Sequence, residues 1–222
     1  MGLIRADLHS HTHFSRDGLT TPERYVARAV AHGITCAAVS DHNNIDGANA
    51  VRRLAPFKVI ISEEIRSSEG EIIGYFLHDP VPKGLTPEET VRAVREQHGI
   101  VGVPHPFDRW RGSAITLEAL NRIVDDVDVI EVFNARNMQQ RDNLRALGYA
   151  REHSKLESAG SDSHHHREIG SAWVEMPEFD TPEEFLDALR RGSVHGHLSS
   201  PFVHLFSVVA KLRFKLGMGP AR

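Results

Sequence analysis

Residues of the kind that bind metal ions are concentrated near the start of the chain. The stretch RADLHSHTHFSRDG, residues 5–18, holds three histidines and two aspartates: Asp7, His9, His11, His13 and Asp17. Residues two apart on a strand point to the same side, so His9 and His11 face one spot, with Asp7 one step deeper. Imidazoles and carboxylates that converge in this way repel one another unless a cation lies among them. The segment therefore predicts ligands for a divalent metal.

The same residue types recur at the carboxyl ends of other predicted strands. They are Asp41 and His42, Glu63 and Glu64, His105, Glu131 and Asn134, and Asp162 and His164. In α/β barrels, active sites are assembled at that end of the strands. Glu63 and Glu64 point to opposite faces of a strand, so only one of them reaches the interior. Asp7 is expected to accept a hydrogen bond from a ligand histidine, with direct ligation as the alternative.

Short β-rich segments alternate with amphipathic helical patterns along the chain. Seven segments are predicted as strands: 3–9, 36–42, 58–65, 71–77, 99–106, 127–134 and 157–164. Three helical patterns begin with Thr-Pro and end at a glycine, over 21–33, 86–99 and 181–192. This alternation predicts βα units with a mainly parallel sheet. A barrel is favoured over an open sheet, because no glycine-rich turn of the dinucleotide-binding type follows the first strand.

Composition indicates an ordinary globular chain with an unusual number of histidines. The 222 residues are 40% hydrophobic and 25% charged, which fits one domain, and 15 of them are histidine. The net charge of −4 provides no basic footprint for non-specific nucleic-acid binding. Cys36, the single cysteine, is predicted to be a packed thiol. With no signal-peptide pattern and no long apolar run, we expect a cytoplasmic protein without a membrane span.

Seven motifs in order resemble the PHP family, named for polymerase and histidinol phosphatase domains. They are DLHSHTHFSRDG, VSDHN, SEEI, GEIIGYFL, PHPF, IEVFN and GSDSH, from about residue 5 to about residue 197. The resemblance implies a single-domain α/β fold over 1–198, a distorted seven-stranded (β/α)7 TIM-like barrel. Residues 199–222 form a separate tail in which Phe202, Leu205, Phe206, Val209, Leu212 and Leu216 follow helical spacing. We expect this helix to seal the barrel, with docking to a membrane surface or a partner as the alternative.

The resemblance also implies a two- or three-metal site that hydrolyses phosphate esters. His9, His11, Asp162 and a bridging Glu64 look like ligands of one ion, His105 of a second, and Asp17, His42 and His164 of a third. Glu63 would then point outward. Glu71 stands where many members have a histidine. As a ligand it favours Mn or Mg, whereas a solvent-facing Glu71 would leave the second metal weak or absent.

The expected cofactors are two or three divalent ions: Mn, Zn or Fe, with Mg as the alternative. Such ions lower the pKa of a bridging water and clamp phosphate oxygens. Asp17 and His164 are the candidates for proton transfer. Arg109, Arg111 and Arg136 follow strand ends and are predicted to bind phosphate, the alternative for each being a surface ion pair.

The predicted substrate is a small phosphorylated metabolite or a nucleotide. One alternative is a 3'-5' exonuclease-type phosphodiesterase that acts on nucleic-acid ends, so nucleic acid enters only as a substrate. The other is a metal-stabilised regulatory module without turnover. Two roles are open for Trp110: stacking on a base of the substrate, or packing within a loop. The sequence gives no indication of the oligomeric state.

Overall fold

One sheet of nine strands organises the described part of the chain. The computed structural model describes residues 2–200, 202–203, 208–210, 212 and 215–216. The strands are β1 (Leu3–Ser10), β2 (Cys36–Val39), β3 (Lys58–Ser67), β4 (Gly70–Tyr75), β5 (Ile100–Val103), β6 (Val129–Asn134), β7 (Leu156–Gly160), β8 (Ala172–Pro177) and β9 (Ser193–Gly196). The helices are α1 (Pro22–Ala31), α2 (Asp46–Leu54), α3 (Pro87–Glu96), α4 (Leu117–Ile123), α5 (Gln140–Glu152) and α6 (Pro182–Arg190), with a 3-10 turn at Val124–Asp126.

The sheet is nearly closed into a barrel. Its strand order is β7-β6-β5-β4-β3-β2-β1-β8-β9. Just beyond β7 the chain returns to β1, where the Asp162 N–H donates to the His9 carbonyl at 2.7 Å and the His11 N–H donates to the Ser163 carbonyl at 2.9 Å. The amino-terminal half of β1 pairs instead with β8. Closure is therefore made at the carboxyl end of β1, where the predicted metal ligands lie.

The mixed α/β sheet departs from the predicted (β/α)7 pattern. β3 and β4 form an antiparallel hairpin with only Ser68 and Glu69 between them, and β4 is also antiparallel to β5. Two residues are too few for the crossover that parallel neighbours require. β8 and β9 extend the sheet beyond the seven predicted strands.

The three predicted Thr-Pro helices are confirmed. The side chain of Thr21 accepts the Arg24 N–H at the start of α1, and α3 begins with a reciprocal capping box between Thr86 and Glu89. Thr181 caps α6 in the same manner. A capping oxygen of this kind satisfies one of the amide groups that has no partner within the helix, which determines where each helix begins.

Apolar side chains fill two regions, one beneath the metal-type residues and one under the helices. The first includes Leu8, Cys36, Ile60, Ile73 and Val129 and is continued by Phe185 of α6. Ile60 and Glu64 lie four residues apart on β3, so they share a face, with the apolar layer at one end and the polar site at the other. The burial of Cys36 confirms the predicted packed thiol. The second region lies between the sheet and helices such as α1 and α4.

The predicted tail is described only in part. Leu205 and Phe206 lie outside the described residues. Phe202, Val209, Leu212 and Leu216 are exposed, while Ala210 is buried. A helix that seals the barrel therefore stays a prediction. Among the described residues, no helix combines the length and apolarity needed to cross a bilayer.

Candidate metal centre

The nine predicted metal ligands, hereafter the nine donors, meet at the carboxyl end of the barrel. They are His9, His11, Asp17, His42, Glu64, Glu71, His105, Asp162 and His164. Four overlapping groups have ligand atoms within 4.8 Å of one another: His11, His42 and His164; His9, His11 and Glu64; His9, His105 and Asp162; His42, Glu64 and Glu71. Eight of the nine donors are buried, and His42 is partly exposed.

A shift of register in β1 directs its histidines into the site. The pairing of β1 with β2 slips between Asp7 and Ser10, which is the signature of a β-bulge. Strict alternation therefore fails here, and Leu8 lies in the inner apolar layer while His9 reaches the donors. Asp7 is turned away from the His9 ring and accepts the Ser161 N–H at 2.9 Å and the Gly170 N–H at 3.2 Å. The predicted bond from Asp7 to a ligand imidazole is wrong because of this bulge.

Two of the donors have left-handed backbone conformations. The φ angles are 31° at His105 and 51° at Asp162, values that side chains with a Cβ adopt rarely. Each strained residue is held by a short hydrogen bond, from the His105 N–H to Glu131 Oε2 at 2.8 Å and from the Asp162 N–H to the His9 carbonyl at 2.7 Å. Strain of about 1–3 kcal/mol per residue is typical of functional sites, where the surroundings impose it.

Glu64 lies at the centre of the site. Its Oε1 is 3.0 Å from His105 Nε2, and its Oε2 is 2.9 Å from His42 Nδ1. The same Oε2 lies 3.4 Å from His11 Nε2 and 3.6 Å from His9 Nε2. One carboxylate thus faces four imidazoles, which is the arrangement that a bridging ligand between neighbouring cations needs.

Glu71 faces the donors rather than solvent. Its Oε2 lies 3.8 Å from His105 Nε2, and its Oε1 lies 3.8 Å from His42 Nδ1. The side chain is only 6% exposed. The solvent-facing alternative is therefore wrong, and Glu71 is placed where it can serve as a carboxylate ligand.

A third set of donors lies on the opposite side of His11. Asp17 Oδ1 is 3.5 Å from His42 Nε2 and 3.4 Å from His164 Nε2. His164 donates its Nδ1–H to the Asp162 carbonyl at 2.8 Å, which leaves Nε2 directed at Asp17. The loop that carries Asp17 is anchored by Asp41, which accepts hydrogen bonds from the backbone and hydroxyl groups of Thr12 and Ser15.

Burial and close charges shift the pKa values of neighbouring donors in opposite directions. Burial lowers the pKa of His9, but the surrounding carboxylates, led by Glu131, outweigh this and hold it well above its usual range. Burial and the charge of His164 hold the pKa of His11 well below its usual range. Burial and the adjacent Glu64 raise the pKa of Glu71. In the absence of a cation, these groups are forced into unlike protonation states at contact distance.

The donor set fits divalent cations. His9 Nε2 and His11 Nε2 lie 3.1 Å apart. Glu131 Oε1 lies 3.1 Å from His9 Nδ1, which favours a proton on Nδ1 and leaves the lone pair of His9 Nε2 to bind a cation. The buried carboxylate oxygens that accept no well-aligned hydrogen bond from the described residues include Glu64 Oε2, Glu71 Oε2 and Asp162 Oδ1. Buried polar atoms without a partner are costly, and bound cations would satisfy them.

Of the three arginines predicted to bind phosphate, Arg111 is the one whose side chain pairs with the carboxylate of a donor. Its Nη2 lies 2.6 Å from Asp162 Oδ2, and its Nε donates to Asp108 Oδ2 at 3.3 Å. Arg109 extends elsewhere, with its Nε 3.8 Å from Asp142 Oδ1 and its side chain 54% exposed. The structure therefore brings Arg111, rather than Arg109, to the metal centre.

Arg136 is buried behind the centre. Its Nε lies 3.4 Å from Glu168 Oε1, and its Nη1 donates to the Asp162 carbonyl at 3.4 Å. Glu168 also accepts the backbone N–H groups of His164 and His165 through Oε2. These contacts support the segment that carries Asp162. Phosphate binding by Arg109 and Arg136 stays a prediction.

Three carboxylates outside the predicted ligand set support the donors: Glu131, Asp41 and Glu168. Glu131 and Asp41 had a signal in the sequence, since each lies near the carboxyl end of a predicted strand, whereas Glu168 had none. Glu63 faces away from Glu64 as predicted but is buried, where it accepts the Val81 N–H at 2.8 Å. Burial raises the pKa of Glu63 to about 7.

Comparison with known proteins relates most of the chain to one family. The PHP domain model matches residues 7–99, and a PHP-associated model matches residues 140–194. An uncharacterized protein of Methanocaldococcus jannaschii is 39% identical over 146 residues, which are 60% of this chain and 82% of that protein.

Solved structures share the fold at low sequence identity. A two-domain protein from Bacteroides vulgatus, containing a predicted PHP-like metal-dependent phosphoesterase, superposes with a TM-score of 0.71 at 18% identity, over 94% of this chain and 70% of that one. The lesion-specific endonuclease EndoQ from Pyrococcus furiosus gives a TM-score of 0.65 at 17% identity, over 87% of this chain and 58% of that one. Fold and donors together define the class of an α/β barrel-like protein with a candidate metal centre at one end of its sheet. The chain belongs to the PHP family.

Proposed function

We propose that the chain hydrolyses the phosphate ester of a small phosphorylated metabolite or nucleotide, with two or three divalent cations held by the nine donors. The observation that carries this proposal is the group of four imidazoles around the single carboxylate of Glu64. The carboxylates of Glu64 and Glu71 favour Mn, Fe or Mg at the second position, and the histidine-rich sets favour Zn, Mn or Fe.

The first cation would be held by His9, His11, Glu64 and Asp162. The second would be held by His105 and Glu71 together with Glu64, and the third by Asp17, His42 and His164. Cations bound there supply Lewis-acid charge, which lowers the pKa of water and neutralises phosphate oxygens.

The remaining chemistry belongs to residues of the chain. Arg111 lies beside the donors and is placed to pair with phosphate oxygens. His164 has its Nδ1–H engaged by a carbonyl, so its Nε2, near Asp17, is the one ring nitrogen left either to bind a cation or to transfer a proton. Burial of the donors excludes bulk water from this region and strengthens each charge interaction within it.

Cleavage of a phosphodiester at a nucleic-acid end is the second candidate. The shared fold with EndoQ, an endonuclease, favours phosphodiester cleavage in nucleic acid, although it gives no preference for an end over an internal position. The net charge of −4 opposes it, because nucleic-acid grooves are lined by an excess of basic residues.

Metal-dependent hydrolysis tests the proposal directly. Protein stripped with a chelator is reloaded with Mn, Zn, Fe or Mg and assayed on aryl phosphates, aryl phosphodiesters, mononucleotides and oligonucleotides. We expect activity only after reloading and a loss of at least about 100-fold in His11→Ala, with unchanged circular dichroism. The matched control is His78→Ala, at an exposed histidine away from the donors.

The substrate panel also separates the alternatives. Preference for oligonucleotides over mononucleotides would favour the nuclease candidate. Metal binding without turnover of any ester would overturn the proposal in favour of a regulatory module.

A further inference from the structure

Cationic side chains gather on the outer side of the barrel, where α1 lies beside the loop of residues 164–170. Arg24 and Arg28 are one helical turn apart on α1, about 6 Å along its axis. The loop contributes Arg167, whose carbonyl accepts a hydrogen bond from Arg28 Nη2 at 3.5 Å. The side chains of Arg24 and Arg167 are exposed, and that of Arg28 is partly buried. The α1 patch is hereafter these three arginines with His165 and His166.

Two imidazole rings lie among the three arginines of the patch. The ring centroids of His165 and His166 are 4.0 Å apart. Burial, and after it the charges of all three arginines, lower the pKa of His166. Burial and the positive charges around it also lower the pKa of His165, to about 4. Because a charge shifts a pKa strongly only at short range, the guanidinium groups converge on these rings.

No carboxylate of the described residues neutralises the three arginines. None lies within ion-pair distance of Arg24, Arg28 or Arg167. Glu168, next to Arg167 in the sequence, is buried, and its carboxylate contacts Arg136 instead. Guanidinium groups keep their charge over the whole physiological pH range. The patch therefore holds three positive charges, whatever the protonation of its histidines.

Several arginines elsewhere on the surface are paired. Arg95 lies 2.8 Å from Asp128, and Arg151 lies 2.9 Å from Glu157. In the α1 patch, by contrast, like charges repel one another in a chain whose net charge is −4. A bound anion would compensate this repulsion, and the planar guanidinium group is suited to bidentate contacts with phosphate.

The patch is separate from the cavity at the metal centre. That cavity, of about 1110 Å³, opens beside the donors Asp17, His42 and Glu71, with Arg66 also in its lining. None of the patch residues is among the described residues that line it. An anion bound at the patch is therefore distinct from a phosphate group bound at the donors.

The extent of the patch favours a compact anion over a long polyanion. The attraction of a small group of charges falls off within a Debye length, about 8 Å at physiological ionic strength. A polymer would extend past the patch over a protein whose net charge is −4 and be repelled there. A single phosphate group lies wholly within reach of the three arginines.

We propose that Arg24, Arg28 and Arg167 form an anion site outside the metal centre. The ligand is a phosphate group, either inorganic phosphate or the phosphate of a small metabolite. The two imidazole rings border the bound group. The site is independent of the proposed hydrolysis, because none of the nine donors belongs to it.

Calorimetric titration with inorganic phosphate tests the site. Metal-loaded wild type is expected to bind one phosphate at the metal centre and one at the patch. In the double variant Arg24→Ala/Arg167→Ala, the patch phosphate should bind at least about tenfold more weakly, since a hydrogen bond to a charged group contributes about that factor. Arg92→Ala, at an exposed arginine of α3, should match wild type. Equal binding in the double variant and wild type would overturn the site.

His11→Ala, which removes a donor, separates the patch from the metal centre. We expect this variant to keep the patch phosphate and to lose the other one, and loss of both would overturn a separate site. Phosphate at the patch without hydrolysis of any ester would retain this site and remove the proposed activity. Hydrolysis with the same phosphate binding in wild type and the double variant would do the reverse.

Two further ligands identify the source of the phosphate group. A mononucleotide that binds the patch more tightly than inorganic phosphate would assign the site to a metabolite, and equal or weaker binding would assign it to free phosphate. A short single-stranded oligonucleotide should bind the patch no more tightly than either. Tighter binding of the oligonucleotide, lost in Arg24→Ala/Arg167→Ala, would overturn the assignment to a compact anion.

Discussion

Glu131 acts on the metal centre through hydrogen bonds rather than as one of the nine donors. Its Oε1 lies 3.1 Å from His9 Nδ1, and its Oε2 accepts the His105 N–H at 2.8 Å and an Asn134 amide N–H at 2.9 Å. A carboxylate in this position fixes the tautomer of His9 and makes the opposite nitrogen more basic. The single side chain therefore orients a donor of β1, His9, and a donor in the loop after β5, His105.

Replacement of Glu131 by glutamine is expected to weaken metal binding while preserving the shape of the site. The neutral amide accepts a proton less well, so His9 Nε2 becomes a poorer ligand, and supporting residues of this kind typically contribute about 10–100-fold to metal affinity. Competition with a chromogenic chelator measures the change. Glu175→Gln on β8, where the side chain is partly exposed and 4.0 Å from Arg5, is the control. Equal metal affinity in Glu131→Gln and wild type would show that the contact between Glu131 and His9 does not contribute to metal binding.

At the scale of elements, strand ends were predictable and their exact geometry was not. The segments ending at His9, Glu64 and Asp162 are recognisable because polar residues interrupt apolar runs. The bulge in β1 carries no such signal, since it depends on the pairing with β2, and it reverses the expected position of Asp7. The hairpin of β3 and β4 was foreseeable, because only five residues separate the predicted segments 58–65 and 71–77 and a parallel crossover needs about a dozen or more, but the expectation of parallel βα units obscured it.

Gly160, the last residue of β7, lies where β7 approaches β1, and a substitution there tests how close this approach must be. A Cβ at this position would overlap the Cβ of His9 and lie 2.8 Å from Glu131 Oε1. Gly160→Ala should therefore separate the two strands and lower the free energy of unfolding by about 1–3 kcal/mol, as overpacking in cores does. Urea denaturation measures this change, and metal affinity should fall with it.

Gly148→Ala provides the matched control for that experiment. Gly148 lies on the exposed side of α5, and a Cβ there would meet no atom within 4 Å. Since alanine is the better helix former, this variant should gain about 0.5–1 kcal/mol. A loss of stability in Gly160→Ala no larger than a few tenths of a kcal/mol would contradict the close approach.

At the scale of the whole molecule, a set of donors distant in sequence depends on closure of the barrel. Asp17 and Asp162 are more than a hundred residues apart in the sequence, yet both contact His164. Most of the nine donors were identifiable because their types and strand-end positions are local features, whereas Asp17 and Glu71 were assigned as ligands by the family resemblance. The supporting contacts of Glu168 and Arg136, and the cavity beside Arg66, arise from loops whose paths no periodic pattern specifies.

Divalent metal is expected to stabilise the entire fold, because the donors that it joins lie on strands and loops from both ends of the sequence. A ligand that binds only the folded state at about 100 times its Kd adds about 2.7 kcal/mol to the free energy of unfolding. For a domain of this size that corresponds to a rise in Tm of about 5–11 °C. Circular dichroism of chelator-treated protein, with and without added Mn²⁺, measures the rise. Glu64→Gln, which removes the charge at the centre, should lose most of it, and an equal concentration of Na⁺ should not reproduce it. A rise of the same size in Glu64→Gln would place the stabilising ion outside the nine donors.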